Sequence, residues 1–478
     1  MKKSCSVIII GAGLSGLTAA KELSKSNVSF KLFEGQNQIG GRVRTEVHSG
    51  IPLDMGATWF HGASRENEAW KFAQDCKLFG ETDEDESEDE DPLQGADLIT
   101  FLTSMPAGVV DSSGKKIELN SEQQQKYISI CRNYSKLLEE LAPPNCQVQD
   151  SSISVHDYIK EKLGKRSLSD IERAAYRFCD LVESGLSGTD GSTRQLSARN
   201  AGDYKIPEGA NKMLPGGLGR LVKALEAQIP GESIHLETEV MGINYSNTSR
   251  EVQVKLNNGE VHYADCVIWT PSVNVLKHFV QMKGFDPVLP TRKLDALEGR
   301  GQGVVDKVFA CLEQQIEGFP EELVTPVLWM PSENEKRDSH WTRSIYALLY
   351  SAEAQLVSMW ITGDAALTVE KLDSKKLLAE LEEMLNLVYG REIKVRAAHR
   401  SQWGMNNFTR GSYSYPLVGS EPGMVEQLSA PIPNENMPLI CFGGESTDPS
   451  FYSTMHGAMR AGIREAERVV SYLNKSTK

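Results

Sequence analysis

The chain has 478 residues, which at roughly 150 residues per domain allows about three structural units and excludes a single small module. Hydrophobic residues make up 40% and charged residues 24%, the balance of a folded globular protein, and no apolar run approaches the roughly 20 residues that a membrane-spanning helix needs. The 51 basic and 65 acidic residues give a net charge of −14, but nine of the carboxylates lie between Glu81 and Asp91 and leave only −5 elsewhere, with no basic stripe to displace counterions from duplex phosphates.

The opening residues mimic a secretory leader, with Lys2 and Lys3 before a short apolar core, but Gly11, Gly13 and Gly16 cut that core at once. Residues 5–10 form a continuous β-branched run without alternation, which predicts a central parallel strand covered on both faces. Leu17, Ala19, Ala20 and Leu23 follow at helical spacing, and residues 28–33 form a second strand ending at Glu34. The acid-rich stretch 81–92 keeps no hydrophobic period and is expected to be a solvated loop. Helices are predicted at 122–141, 155–163 and 168–186, the middle one capped by Ser154. A helix at 218–227 and short strands within 234–269 come next, with Asn257-Asn258-Gly259 as a hairpin turn. Residues 304–312, 344–350 and 356–362 are strand-like, 375–389 and 455–473 helical, and 439–442 a late strand, together a mixed sheet with packed helices. Eight cysteines are scattered without a CxxC pair, which suits idle thiols in a reducing cytoplasm or nucleus, and no metal-ligand set is expected.

The first glycine turn carries the earliest chemistry. Gly11 permits the turn, Gly13 lets main chain approach a pyrophosphate without a Cβ, and Gly16 lets the helix pack on the strand, while the helix N-terminus offers N–H groups to phosphate. Glu34 stands 18 residues past Gly16, where a carboxylate accepts from ribose hydroxyls. This fingerprint alone leaves flavin and nicotinamide dinucleotides open. Gly40-Gly41-Arg42 followed by Gly56-Ala57-Thr58-Trp59 tips the reading toward flavin, because Arg42 can neutralise pyrophosphate and the small residues let main chain run against a flat ring system.

On these stretches the chain resembles the flavin amine oxidases, and within them the polyamine oxidases of the spermine and N-acetylpolyamine type. The likeness is carried by the opening fingerprint, IGGRVRT at 39–45, GATWFHG at 56–62, DKVFACL around Lys307, FTRGSYSYPLVG at 408–419 and GGESTDPSFYSTMHGAMRAGIREA at 443–466, and so runs from end to end. It implies a two-lobed α/β and α+β fold, with a Rossmann-like FAD-binding domain (1–80, 205–286, 438–478) interleaved with a mixed-sheet and helical substrate domain (81–204, 287–437). It further implies that Gly11, Gly13, Ser15, Gly16, Glu34, Gly41, Arg42, Thr58, Trp59, Val240, Glu445, Thr454 and Met455 surround FAD. Monoamine oxidases place a flavin-bonding cysteine where Ser412 stands here, so the resemblance implies non-covalent FAD.

Lys307 shares a strand face with Val305, Phe309 and Cys311, while Val304, Val308 and Ala310 fill the other, so both faces read as buried. An unpaired ammonium there costs several kcal/mol or loses its proton; the same pattern also fits a lysine that reaches the strand edge or meets an unseen acid. The resemblance implies a lysine linked through water to flavin N5, promoting reaction with oxygen. His61 follows Trp59 by two and shares its side of an extended segment, which suits either an amine partner or a purely structural imidazole; the resemblance favours the enzyme type that releases a shorter polyamine. Trp403, Tyr413 and Tyr415 are candidates for an aromatic wall, as against plain core packing, and Trp59 and Thr454 are further substrate-binding candidates. Glu183 resembles the carboxylate that meets a distant ammonium, although surface exposure is the commoner fate of a glutamate.

The reaction so implied is oxidation of a secondary amine of spermine, spermidine or their N-acetyl forms, with O2 reduced to H2O2. Two rivals are a histone-lysine demethylase, which resembles longer chains with an added chromatin-binding domain and a helical insertion, and a non-enzymatic polyamine-binding flavoprotein. The acidic stretch could concentrate polyamines electrostatically. The terminal Asn474-Lys475-Ser476-Thr477-Lys478 is not a Ser-Lys-Leu type of address, so a cytoplasmic or nuclear location is expected.

Overall fold

The computed structural model describes residues 5–80, 98–164, 167–205, 208–246, 251–332 and 339–476; the acidic stretch expected as a loop lies outside them. The β-branched run becomes the strand Val7–Ile10, flanked in register by two parallel neighbours, Cys266–Trp269 and Phe30–Phe33. These sit in a six-stranded sheet with the order Ile432–Asn434, Met437–Phe442, Cys266–Trp269, Val7–Ile10, Phe30–Phe33, Ile234–His235, in which only the first pair is antiparallel. Val7, Ile8 and Ile9 are completely buried, each such side chain contributing roughly 1.5–3 kcal/mol.

The helix Leu14–Lys25 leaves the glycine turn and packs against the long closing helix Met455–Ser476. Glycine permits that approach. A Cβ at Gly16 would lie 1.9 Å from the Gly11 carbonyl oxygen, and one at Gly462 would lie 2.3 Å from that of Ser15. A second sheet of seven strands runs Val395–Arg400, Val305–Leu312, Leu356–Thr362, Ala347–Ser351, Glu322–Trp329, Gly108–Val110, Lys116–Ile117. Helices Leu98–Ser104, Ser121–Glu140, Val155–Leu163 and Asp170–Ser187 share a hydrophobic cluster with one face of this sheet. Their starts are chemically defined: the Ser154 hydroxyl accepts from Asp157 N–H at 3.0 Å, and Asn120 and Ser169 head capping boxes with Gln123 and Glu172.

The hairpin expected at 257–259 joins Val252–Leu256 to Val261–Ala264 in a four-stranded sheet completed by Val240–Asn244 and Phe285–Asp286. The strand expected at 344–350 begins later, at Ala347, because Trp341–Ser344 forms a 3-10 turn. Strands Glu322–Trp329 and Val395–Arg400, on either side of the predicted ones, were not anticipated. Among the described residues no helix is long and apolar enough to cross a membrane.

Candidate functional site

One large cavity, about 2210 Å³, begins at the glycine turn and continues to the face of the seven-stranded sheet that carries Lys307. Its nucleotide end opens beyond the carboxyl ends of the parallel strands, the usual ligand crevice of such sheets. Gly11, Gly13, Ser15, Glu34, Gly41, Arg42, Thr58, Trp59, Val240, Glu445, Thr454 and Met455 all line it. Gly16 does not; it faces the turn behind, where its lack of a Cβ allows the helix to close on Gly11.

The chemistry of this end suits an anionic dinucleotide. Gly13 caps the first helix with extended backbone and without a side-chain hydrogen bond, so the leading N–H groups remain available at the cavity wall. A Cβ on Gly13 would meet nothing within 4 Å, which leaves open space at the point where main chain must approach a phosphate. Glu34 is buried and accepts from Ala12 N–H at 2.7 Å and Gln36 N–H at 2.9 Å, which orients its carboxylate; burial, outweighing these bonds, raises its pKa. Arg42 donates to Ser412 O at 2.6 Å and pairs with Glu445 at 3.0 Å, and Glu445 also accepts from Ser414 Oγ and Ser453 N–H. Ser15 Oγ accepts from Gly444 N–H at 2.9 Å and ties the first turn to the C-terminal motif. Thr454 caps the closing helix, its hydroxyl accepting from Gly457 N–H at 2.9 Å.

Lys307 lies in a strand that is buried along its whole length. The side chain is buried at the cavity wall, and among the described residues its Nζ pairs with no carboxylate. It donates to the Asp54 carbonyl at 2.9 Å, the Gly56 carbonyl and Thr58 Oγ1, all on the segment that follows Arg42. Burial pulls its pKa down to about 7, against the opposing pull of the Asp54 charge. Trp59 stacks on Trp360 at 5.5 Å, and Trp360 sits directly opposite Lys307 in the strand pairing, its ring 5.8 Å from Nζ. Trp403 is buried and donates its indole N–H to Met55 O at 3.1 Å.

His61 shares the cavity with Trp59, two residues along the same extended segment, and its Nδ1 lies 2.9 Å from Asn211 Oδ1. Asn211 Oδ1 can only accept, so in the neutral ring it favours the tautomer with the proton on Nδ1. Glu183, half-buried on helix Asp170–Ser187, accepts from Ser187 Oγ and lines the cavity. Tyr413 donates to the Gly185 carbonyl and Tyr415 to Gln195 Oε1 at 2.9 Å; burial raises both phenols. Sequence reasoning missed Trp360, Tyr346 and Asn211 in the lining. Period-two alternation in 356–362 could have placed Trp360 on the face of Ser358, whereas Asn211 is set by the pairing of Trp59–Phe60 with Lys212–Met213 and left no local signal.

The family model described as "Flavin containing amine oxidoreductase" matches residues 14–470. "Probable polyamine oxidase 5" of Arabidopsis thaliana is 28% identical, covering 99% of this chain and 99% of its own. The "Peroxisomal N(1)-acetyl-spermine/spermidine oxidase" of Homo sapiens is 27% identical, covering 97% and 94%. Among solved structures, a double mutant of putrescine oxidase redesigned for cofactor binding superposes with a TM-score of 0.69 at 17% identity, covering 98% of this chain and 99% of that one, a likeness of fold. A glycine turn that opens into the cavity of a buried lysine, matched by one family model over nearly the whole chain, places this protein in the flavin containing amine oxidoreductases, with FAD as its cofactor.

Proposed function

We propose that the chain oxidises a secondary amine of a polyamine, free or N-acetylated, to an imine whose hydrolysis yields a shorter amine and an aminoaldehyde, while O2 becomes H2O2. The observation that carries this reading is the buried Lys307 Nζ beside the stacked Trp59 and Trp360, in the cavity that starts at the dinucleotide turn. The polyamine oxidase relatives support the substrate class.

FAD, when bound, accepts a hydride from the carbon next to nitrogen and passes two electrons to oxygen. We assign it to the turn Gly11–Gly16, Glu34, Gly41, Arg42, Val240, Glu445 and Met455, within a domain built from 1–80, 205–286 and 438–478, with the remainder forming the substrate domain. Non-covalent attachment is supported by Ser412, whose hydroxyl is spent on Val305 N–H at 2.8 Å and Val305 O at 2.7 Å, and by the absence of any cysteine from the cavity wall among the described residues.

The chain's own groups then prepare the amine. An ammonium lacks the lone pair that stabilises charge developing at carbon, so the substrate nitrogen must first lose its proton. Walls of Trp59, Trp360, Tyr413 and Tyr415, with Thr454 nearby, exclude water and favour the neutral amine, and the exposed His61, on the same segment as Trp59, is the partner for its proton. Glu183 holds a second, distant ammonium. Lys307 Nζ, titrating near neutrality, holds or releases a proton beside Thr58. Retention of all eight cysteines as thiols supports a cytoplasmic or nuclear location.

The test is a product assay by mass spectrometry with spermine, spermidine and their N-acetyl forms. A shorter polyamine plus an aminoaldehyde from at least one of them is the expected result. Turnover of simple monoamines alone, with the whole polyamine panel intact, would contradict the substrate class.

A further inference from the structure

Asp306 is completely buried next to Lys307 in sequence and takes no part in the chemistry proposed above. Its Oδ1 accepts from Ser401 Oγ at 2.7 Å and Trp403 N–H at 3.2 Å. The same Ser401 hydroxyl accepts from Lys307 N–H at 2.8 Å, and Ser401 N–H donates to Lys307 O at 3.0 Å. Trp403 in turn donates its indole N–H to Met55 O, between the two carbonyls, Asp54 and Gly56, that receive Lys307 Nζ. The bonds therefore form a closed circuit. From the Asp306 carboxyl it passes through Ser401 and Trp403 to the 54–58 segment, and from there through Nζ back along Lys307 to the neighbouring backbone.

The other oxygen, Oδ2, is buried and, among the described residues, receives no N–H or O–H. The group that Asp306 meets is Glu370, itself 2% exposed, whose two oxygens already accept from Gly404 N–H and Met405 N–H at 2.7 Å each. Two carboxylates cannot both stay charged in such a place. Glu370 already holds one backbone N–H on each oxygen and still has lone pairs to accept another, so the proton belongs on Asp306, where it satisfies the otherwise orphaned Oδ2. Burial first, and Glu370 second, push the Asp306 carboxyl well above the usual carboxylate range.

We propose that Asp306, as a neutral carboxylic acid bonded to Glu370, is the positioning residue that fixes Lys307 Nζ against residues 54–58. Its neutrality has a second consequence, since an ionised Asp306 would hold Lys307 charged. The inference rests on the flavin site and on Lys307 as proposed, and does not need the polyamine substrate to be right.

The experiment uses holoenzyme reduced with dithionite, so that no amine is required. Three quantities are read: the FAD dissociation constant, the pH midpoint in the visible spectrum of oxidised bound flavin that disappears in Lys307→Met, and the rate of reoxidation by O2. Asp306→Asn keeps one acceptor and supplies an N–H to Glu370, so all three should stay within about twofold, or about 0.3 pH unit for the midpoint. Asp306→Leu and Ser401→Ala should slow reoxidation roughly tenfold or more with FAD affinity nearly unchanged, and should add nothing in a Lys307→Met background, because they act through that lysine. Should Asp306→Leu fail to fold, Ser401→Ala carries the test. A midpoint in Asp306→Asn lower by about one pH unit or more would reveal an ionised Asp306 and overturn the proposal. So would wild-type reoxidation in Ser401→Ala, or losses that add to those of Lys307→Met.

Discussion

Replacing Lys307 by methionine removes the amine and keeps most of the side-chain volume. Lys307 is buried, and its pKa falls from 10.5 to about 7 on folding, so between those values the unfolded chain binds one proton more than the native protein. Stability of the wild type therefore rises with pH across that window at about 1.4 kcal/mol per unit, and the full penalty of burying the ammonium, on the order of 5 kcal/mol, applies below pH 7. From pH 7.5 to 9.5 the wild type should gain roughly 2.5 kcal/mol relative to Lys307→Met. The loss of donors to the Asp54 and Gly56 carbonyls and Thr58 shifts the two curves apart by a pH-independent amount and leaves the slope untouched. Urea unfolding of both holoproteins at several pH values measures the difference; groups that do not interact with Lys307 cancel, and Asp54, which does, is a carboxyl and stays ionised across this alkaline window. Parallel curves would show that Lys307 stays an ammonium throughout, and the argument for a neutral amine at the site would fail.

Two glycines of the first turn separate binding from folding. Gly13→Val places its side chain in open cavity space on extended backbone, so thermal stability of the apoprotein should change little while FAD affinity falls about tenfold or more by equilibrium titration. Gly16→Val drives carbon into the Gly11 carbonyl and should leave little folded protein, as judged by far-UV circular dichroism. Glu183→Gln should raise the KM of polyamines about tenfold or more, the value of a charge-assisted hydrogen bond, with a much smaller change in the rate of flavin reduction at saturation. An equal fall in the reduction rate and in kcat/KM, with KM unchanged, would place Glu183 at the reacting nitrogen instead.

The nucleotide end of the site was legible because its physics is local. An unalternating strand, three glycines, a helix and Glu34 fall within 30 residues, and each is explained by a neighbour in sequence. Lys307 was legible for a different reason, since period-two alternation across 304–312 buries both faces and leaves a cation nowhere to go. What it bonds was not, because Asp54, Gly56 and Thr58 lie some 250 residues away and approach only through the sheet packing. Trp360 and Ser401 depend on the register of strands flanking Val305–Leu312, which no turn residue near Lys307 specifies. The strands Glu322–Trp329 and Val395–Arg400 escaped for a related reason: the first carries Pro326 within it and the second is rich in Arg and His, features that hide a strand when its partners are unknown.

By the proposed function, an amine in the aromatic end of the cavity delivers its electrons to a flavin held at the glycine turn. Anaerobic stopped-flow mixing of the yellow holoenzyme with spermine, spermidine and their N-acetyl forms measures that transfer directly. At least one of them should bleach the flavin absorbance with a rate that saturates in substrate, and faster as pH rises through the range where the bound amine loses its proton. A flavin that stays oxidised with every member of the panel would contradict it.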